Sequence, residues 1–187
     1  MDHSELALLL SYCSDGDPQA IARFYAAYHL DVYRLALSIL DDPGEADEAA
    51  QEALLRAIDR LPSYRGEASF KSWLYAITVN MCRGRLRKQR VRQRLQQTLF
   101  GLFGQGETRP IHPEEQVIQN ELDSALWQSI HALPEALRLT ITLRYYHALP
   151  IGEIAQIMQV SQRTVHNRLS DAHSRLRAAL EEKVVTE

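Results

Sequence analysis

Apolar residues at helical spacing run through almost the whole 187-residue chain, and the pattern lapses for one long stretch only, between Val91 and Pro113. In "SFKSWLYAITVNMC" the apolar residues Phe70, Trp73, Leu74, Ile77 and Met81 recur every three or four positions, which is one buried stripe on a helix. Ser69 stands where an N-cap hydroxyl accepts from the helix's first unpaired amides. Upstream, "DPQAIARFYAAYHLDVYRLALSIL" and "GEADEAAQEALLRAIDRL" read as two more amphipathic helices. The second is acidic in its first turns, where the helix dipole favours anions. No alternating run is long enough for a strand. The lapse, "QQTLFGLFGQGETRPIHP", holds the breakers Gly101, Gly104, Gly106, Pro110 and Pro113. After it, "EEQVIQNELDSALWQSIHAL", "PEALRLTITLRYYHA" and "PIGEIAQIM" give three further helices. The expected fold is therefore all-α, with two small helical domains, 1–90 and 114–187, joined by a flexible linker at 91–113.

A hydrophobic fraction of 45% is enough for real cores. The two cysteines, Cys13 and Cys82, have no paired spacing and no neighbouring His, so neither a disulfide framework nor a zinc site is expected. The N-terminal "ELALLLSYC" is too short and too acidic in its flanks for a signal peptide, and no apolar run reaches the ~18 residues of a membrane span. A soluble, cytoplasmic protein without membrane insertion, cofactor or metal is expected. No "GxSxG", "HExxH" or Gly-rich phosphate loop occurs, which argues against an enzyme.

The net charge is −3, yet it is unevenly spread. Up to Arg60 there are twelve Asp and Glu against four Arg, whereas Lys71 to Arg94 holds eight Lys and Arg and no acid. Such a block suits phosphate neutralisation, although a solvated helix face carries the same pattern.

The C-terminal stretch follows helix-turn-helix grammar. Ile154, Ala155 and Met158 pack a first helix, "QVS" turns, and Ser161 caps a second helix whose inner face is Val165, Leu169, Ala172 and Leu176. Outward point Arg163, His166, Asn167, Ser170, Ser174 and Arg177, residue types that include the usual partners of guanine and adenine edges. His166 and His173 lie one heptad apart, but no third metal ligand is evident.

Two distant segments, "EADEAAQEALLRAI" with "LPSYRGEASFKSWLYAITVN", and "LPEALRLTITLRYYHALPIGEIAQIMQVSQRTVHNRL", closely resemble the two domains of bacterial extracytoplasmic-function (ECF) sigma factors of the sigma-70 family. The resemblance covers roughly residues 16 to 180 and keeps the family's domain order. It implies core RNA polymerase, promoter DNA and an anti-sigma protein as partners, with no catalytic residue. By that resemblance Asp47, Glu48, Gln51 and Glu52 dock on the polymerase clamp helices. The loop Ser63 to Ser69 captures a base flipped from the minus-ten element, with Tyr64, Arg65, Gly66, Lys71, Asn80, Arg83 and Arg87 as minus-ten contacts. Arg163, Thr164, His166, Asn167, Arg168, Ser170 and Asp171 serve the minus-thirty-five element. The chain departs from the pattern at Gly84, where relatives commonly carry Asp, and at His166, Asp171 and His173, where they often carry Arg. Trp73 reads as core packing. Two alternatives stay open: a sigma-like adaptor, and a helix-turn-helix regulator that binds duplex DNA without melting it.

Overall fold

The structure, a computed structural model, describes residues 3–103 and 128–185, with side chains described for residues 4–92 and 128–180. Among the described residues every regular element is a helix: α1 (His3–Ser14), α2 (Pro18–Leu40), α3 (Pro43–Arg60), α4 (Phe70–Phe103), α5 (Glu135–Ile141), α6 (Ile151–Met158) and α7 (Gln162–Val185). The all-α expectation holds. α4 continues backbone-helical through Phe103, into the stretch whose breakers suggested a linker. Residues 104–127, which include Gly104, Gly106, Pro110 and Pro113, lie outside the described residues.

The first half is built from short caps and small side chains. Asp17 starts α2 by accepting from the amides of Gln19 at 2.7 Å and Ala20 at 3.2 Å, and Pro18 costs no hydrogen bond at this first position. Asp42 does the same for α3, accepting from Glu45 at 2.7 Å, again followed by a proline. Between these two helices Asp41 turns the chain in the left-handed region, φ 59°, which Asp tolerates better than bulkier residues. α3 presents Ala46, Ala49, Ala50, Ala53 and Ala57, all fully buried, so that α2 and α4 approach its backbone closely. Phe24, Leu35, Leu54, Leu74 and Val79 fill the remaining space. α1 adds Leu9 and Cys13 to the same core through a turn at Gly16, φ +79°.

In the predicted stripe of α4, Phe70, Leu74, Ile77 and Met81 are buried, while Trp73 is only half-buried at the rim. Its ring leans against Tyr64, centroids 5.3 Å apart, and Phe70, 5.5 Å apart. Ser69 caps the helix as expected, accepting from the Ser72 amide at 3.2 Å. Gly84 lies inside α4 with open space where a Cβ would stand, so it leaves packing unaltered and carries only the backbone-entropy cost of a helical glycine.

The second half packs against the first rather than apart from it. α5 gives way to a single π turn, Thr142–Tyr146, closed by His147 N–H donating to the Thr142 carbonyl at 3.1 Å. α6 and α7 form the helix-turn-helix, joined through Gln159 in the left-handed region, with Ser161 accepting from the Thr164 amide at 3.1 Å. α6 lies along α4, and α5 touches α2, so both halves share one continuous core.

Candidate nucleic-acid interface

Three surfaces carry the residues singled out by sequence. The first is the acidic flank of α3. Asp47 accepts from Gln51 Nε2 at 2.8 Å and meets His29 Nε2 at 3.1 Å. Glu48 has a 75% exposed side chain and reaches Arg85 at 3.3 Å. Glu52 is more committed, paired to Arg85 at 2.8 Å and to Arg56 at 2.6 Å. The hydrogen bond from Arg85 is the main reason that its carboxyl is held below the ordinary glutamate range. Leu55, one turn on, is 61% exposed and continues the same flank. Sequence patterning missed Leu55, whose apolar character alone suggests a core position.

The second surface is the Ser63–Ser69 loop and the face of α4. Gly66 adopts φ +73°, a conformation that a side chain would strain, and Tyr64 Oη donates to the Ala68 carbonyl at 2.8 Å, tying the loop closed. A recess of about 240 Å³ opens here, lined by Ser63, Tyr64, Arg65, Trp73 and, from α6, Gln156. Along α4, Asn80 and Arg87 are exposed as expected. Arg83 is half-buried and pairs with Glu135 at 3.5 Å, and Arg90 pairs with the same carboxylate at 3.2 Å. Lys71 is held by Asp31 at 2.8 Å over the Tyr75 ring. Burial raises the Asp31 pKa, but the hydrogen bond and charge of Lys71, together with His147 and the Tyr75 hydroxyl, more than offset it, and the carboxyl is held below the usual aspartate range.

The third surface is α7. Val165, Leu169, Ala172 and Leu176 are buried, and Arg163, His166, Asn167, Ser170, Asp171, Ser174 and Arg177 are exposed, matching the expected division. Thr164 and Arg168 are half-buried instead, Thr164 bonded to Ser161 Oγ at 2.9 Å and Arg168 directed toward Met158 Sδ at 3.9 Å. Asp171 forms an i,i+4 pair with Arg175 at 2.9 Å. Among the described residues no cluster of His, Cys, Asp and Glu is arranged to hold a metal, and no helix is long and apolar enough to cross a membrane.

A helix-turn-helix with a polar outward face, joined to a helical unit with a basic helix, narrows the comparison with known proteins. Residues 24–92 match the family model for Sigma-70 region 2, and residues 123–176 match Sigma-70, region 4. The ECF RNA polymerase sigma factor SigW of Bacillus subtilis is 31% identical over 170 residues, covering 88% of this chain and 91% of SigW. The chain belongs to the ECF sigma factors. The ECF RNA polymerase sigma-E factor of Escherichia coli K12 is likewise 31% identical, over 95% of this chain and 93% of its own. Among solved structures, RpoE in complex with the anti-sigma factor NepR from Bartonella quintana superposes with TM-score 0.66 at 22% identity, over 86% of this chain and 96% of that one. CnrH in complex with the cytosolic domain of CnrY gives 0.63 at 18%, over 94% and 96%. Both agree with the helical fold.

This sigma factor also carries groups that no sequence pattern marked. His147 is buried, its Nδ1 bonded to Tyr75 Oη at 2.9 Å, and its Nε2 lies buried without a hydrogen-bond partner. Burial pushes its imidazole pKa down to about 4. Glu153 accepts from Ser69 Oγ at 2.9 Å and also from Ser72 Oγ. Asp41 meets His131 Nδ1 at 2.7 Å and Arg138 Nη1 at 3.9 Å. All of these are contacts between the two halves.

Proposed function

We propose that this sigma factor binds core RNA polymerase through Asp47, Glu48, Gln51 and Glu52, and opens promoters through the loop and α4. In this reading α7 holds the upstream element, and the work is binding and strand separation, not covalent catalysis. The observation that carries it is the recess beside Tyr64, Arg65 and Trp73, with Asn80 and Arg87 exposed about two and four turns further along α4. Separating strands means unstacking bases, at about a few kcal/mol per step, and a recess with aromatic walls receives a base once it is flipped. The domain boundaries of the reading are 1–90 for polymerase and minus-ten work and 114–187 for the minus-thirty-five element, with 91–113 between them. An anti-sigma partner belongs to it, supported by the fold shared with RpoE as captured with NepR. The reading also places its activity in the cytoplasm, where polymerase transcribes.

Run-off transcription with purified core polymerase tests this reading. Replacing Asn80 with Ala is expected to leave core binding unchanged and to lower open-complex formation by ~1–3 kcal/mol, the worth of a lost base-edge contact. Normal melting by that variant on duplex templates would remove Asn80 from the interface. A helix-turn-helix regulator or an adaptor would give no run-off product with either protein.

Asp171 allows a second measurement. Its pairing with Arg175 at 2.9 Å favours a carboxylate that merely withdraws one cation from the phosphates over one that accepts from a cytosine amino group. Asp171→Arg is then expected to tighten binding to all DNA and to steepen its salt dependence by roughly one to two phosphate equivalents. Salt titrations on a selected upstream element and on scrambled DNA check this. Weakening confined to the selected element, by ~1–3 kcal/mol, would assign cytosine readout instead.

A further inference from the structure

Inside α4 one residue has neither a conformational nor a packing reason to be glycine. Gly84 keeps the helical conformation, α4 runs through it unbroken from Phe70 to Phe103, and apart from its own helix nothing lies within 4 Å of where its Cβ would stand. A helical glycine of that kind is a net loss of stability, because the chain gives up backbone freedom and gains no contact. What glycine does offer on a helix surface is close approach of another molecule to the backbone. The surroundings of Gly84 suit such an approach. Asn80, Gly84 and Arg87 follow one another at i, i+4 and i+7 and so form one ridge, with the gap at 84 about 6 Å along the axis from Asn80. The gap opens into a recess of about 340 Å³ that Asn80, Arg83, Leu86, Arg87 and Arg90 also line, together with Glu135 from α5.

We propose that the gap at Gly84 is a contact site for the separated minus-ten strand, in which one nucleotide packs its sugar and base on the bare backbone of α4 and places its phosphate on Arg87. The site rests on the minus-ten reading of α4. Charge selects the ligand. Glu135 already engages Arg83 at 3.5 Å and Arg90 at 3.2 Å, whereas Arg87 is exposed and meets no carboxylate among the described residues. A guanidinium in that state is a partner for phosphate oxygens. Shape selects it too, because a base stacked in a duplex offers only its edges, and only a base taken out of the stack can lay its face against a helix. Any side chain at 84 would lift that nucleotide off the backbone and lengthen the Arg87 contact. A carboxylate there would in addition lie three residues from Arg87 and four from Lys88, within pairing range of both.

The test sets stability against strand binding in the full-length chain and its holoenzyme. Gly84→Ala is expected to raise Tm by roughly 2–4 °C, the gain from replacing an unpacked helical glycine. Run-off transcription of sheared genomic DNA by the wild-type holoenzyme supplies a promoter, which is then rebuilt with mismatches across the minus-ten segment so that binding is read without the cost of melting. On that template the G84A holoenzyme is expected to bind roughly tenfold more weakly, the worth of one charge-assisted hydrogen bond, while its binding to core polymerase stays unchanged. Gly84→Asp is expected to weaken it further and to flatten the salt dependence by about one phosphate equivalent. A glycine that serves only the fold does not give opposite signs for stability and binding. Equal affinity of the wild-type and G84A holoenzymes for the premelted template overturns the proposal. So does a G84A variant less stable than wild type, since the gap would then serve the fold, and so does a wild-type salt slope in G84D. A wild-type holoenzyme that opens no promoter overturns the initiation reading and the Gly84 contact with it, whereas a G84A holoenzyme that matches a promoter-opening wild type overturns the Gly84 contact alone.

Discussion

On acidification from pH 6.5 to pH 4, the wild-type chain is expected to lose about 3 kcal/mol of stability that a His147→Phe variant keeps. His147 sits against α4, with its ring 4.7 Å from Tyr75 and 5.0 Å from Tyr146. Burial is the main cause that pushes its pKa from 6.5 down to about 4; Asp31 opposes, while Lys71 and Arg34 push the same way as burial. A base whose folded pKa is depressed is neutral in the native state. Its burial is therefore free of ionisation cost above pH 6.5 and is penalised progressively as pH falls from there toward 4, because only the open or unfolded chain takes up the proton. Asp31 also loses stabilisation in acid, but its carboxyl is held below 3.8, so its window lies beneath that of the histidine. Phe at position 147 keeps an aromatic ring against Tyr75, whose hydroxyl retains Asp31 at 3.4 Å. Thermal unfolding of both proteins across this range measures the difference. About 3 kcal/mol corresponds to a relative fall of roughly 6–12 °C in the wild-type Tm. Parallel curves for the two proteins would show that His147 does not stay neutral in the native state.

The helices, their caps at Ser69 and Ser161 and the two faces of α7 were legible in the sequence because each depends on residues three or four apart. Contacts between helices were not. Arg83, Arg85 and Arg90 carry the same local signature, a cation in an acid-free run. Only the tertiary arrangement gives Arg85 to Glu48 and Glu52 and gives Arg83 and Arg90 to Glu135. Lys71 belongs with them, since its partner Asp31 lies on α2, far back along the chain. His147 was hidden for another reason. The π turn Thr142–Tyr146 inserts an extra residue into the repeat, so the 3.6 period that places Leu137 and Ile141 in the core misassigns the residues beyond the turn. Thr164 and Arg168 illustrate a milder limit. Both flank the buried stripe of α7, and periodicity alone does not tell a flank that meets α6 from one that meets solvent.

The acidic flank of α3, which the proposed function gives to polymerase, yields the second large effect, and the geometry determines which substitution isolates it. Glu52→Lys looks harmless on a helical projection, because the exposed face carries no core residue. In the fold, however, it would bring a third cation beside Arg56 and Arg85, which Glu52 now holds at 2.6 and 2.8 Å. Loss of polymerase binding by that variant would be confounded by repulsion between α3 and α4. Glu48 is the cleaner probe, with its side chain 75% exposed and a single longer contact to Arg85 at 3.3 Å. If the acidic flank meets a basic partner surface, Glu48→Lys replaces an attraction by a like-charge contact, and such juxtapositions cost several kcal/mol at an interface. Core binding is expected to weaken ~30–100-fold, or about 2–3 kcal/mol, with a Tm close to wild type. The deficit is expected to shrink as ionic strength rises, because screening acts on the repulsion and on the original attraction alike. Leu55→Ala offers a charge-free control on the same flank: it is 61% exposed, so a loss of core binding without a loss of stability would locate the interface by its apolar contact. Unchanged binding by both variants would move the docking surface off α3, whereas weakening by Glu48→Lys alone, independent of salt, would point to a local distortion around Arg85 and not to a charged interface.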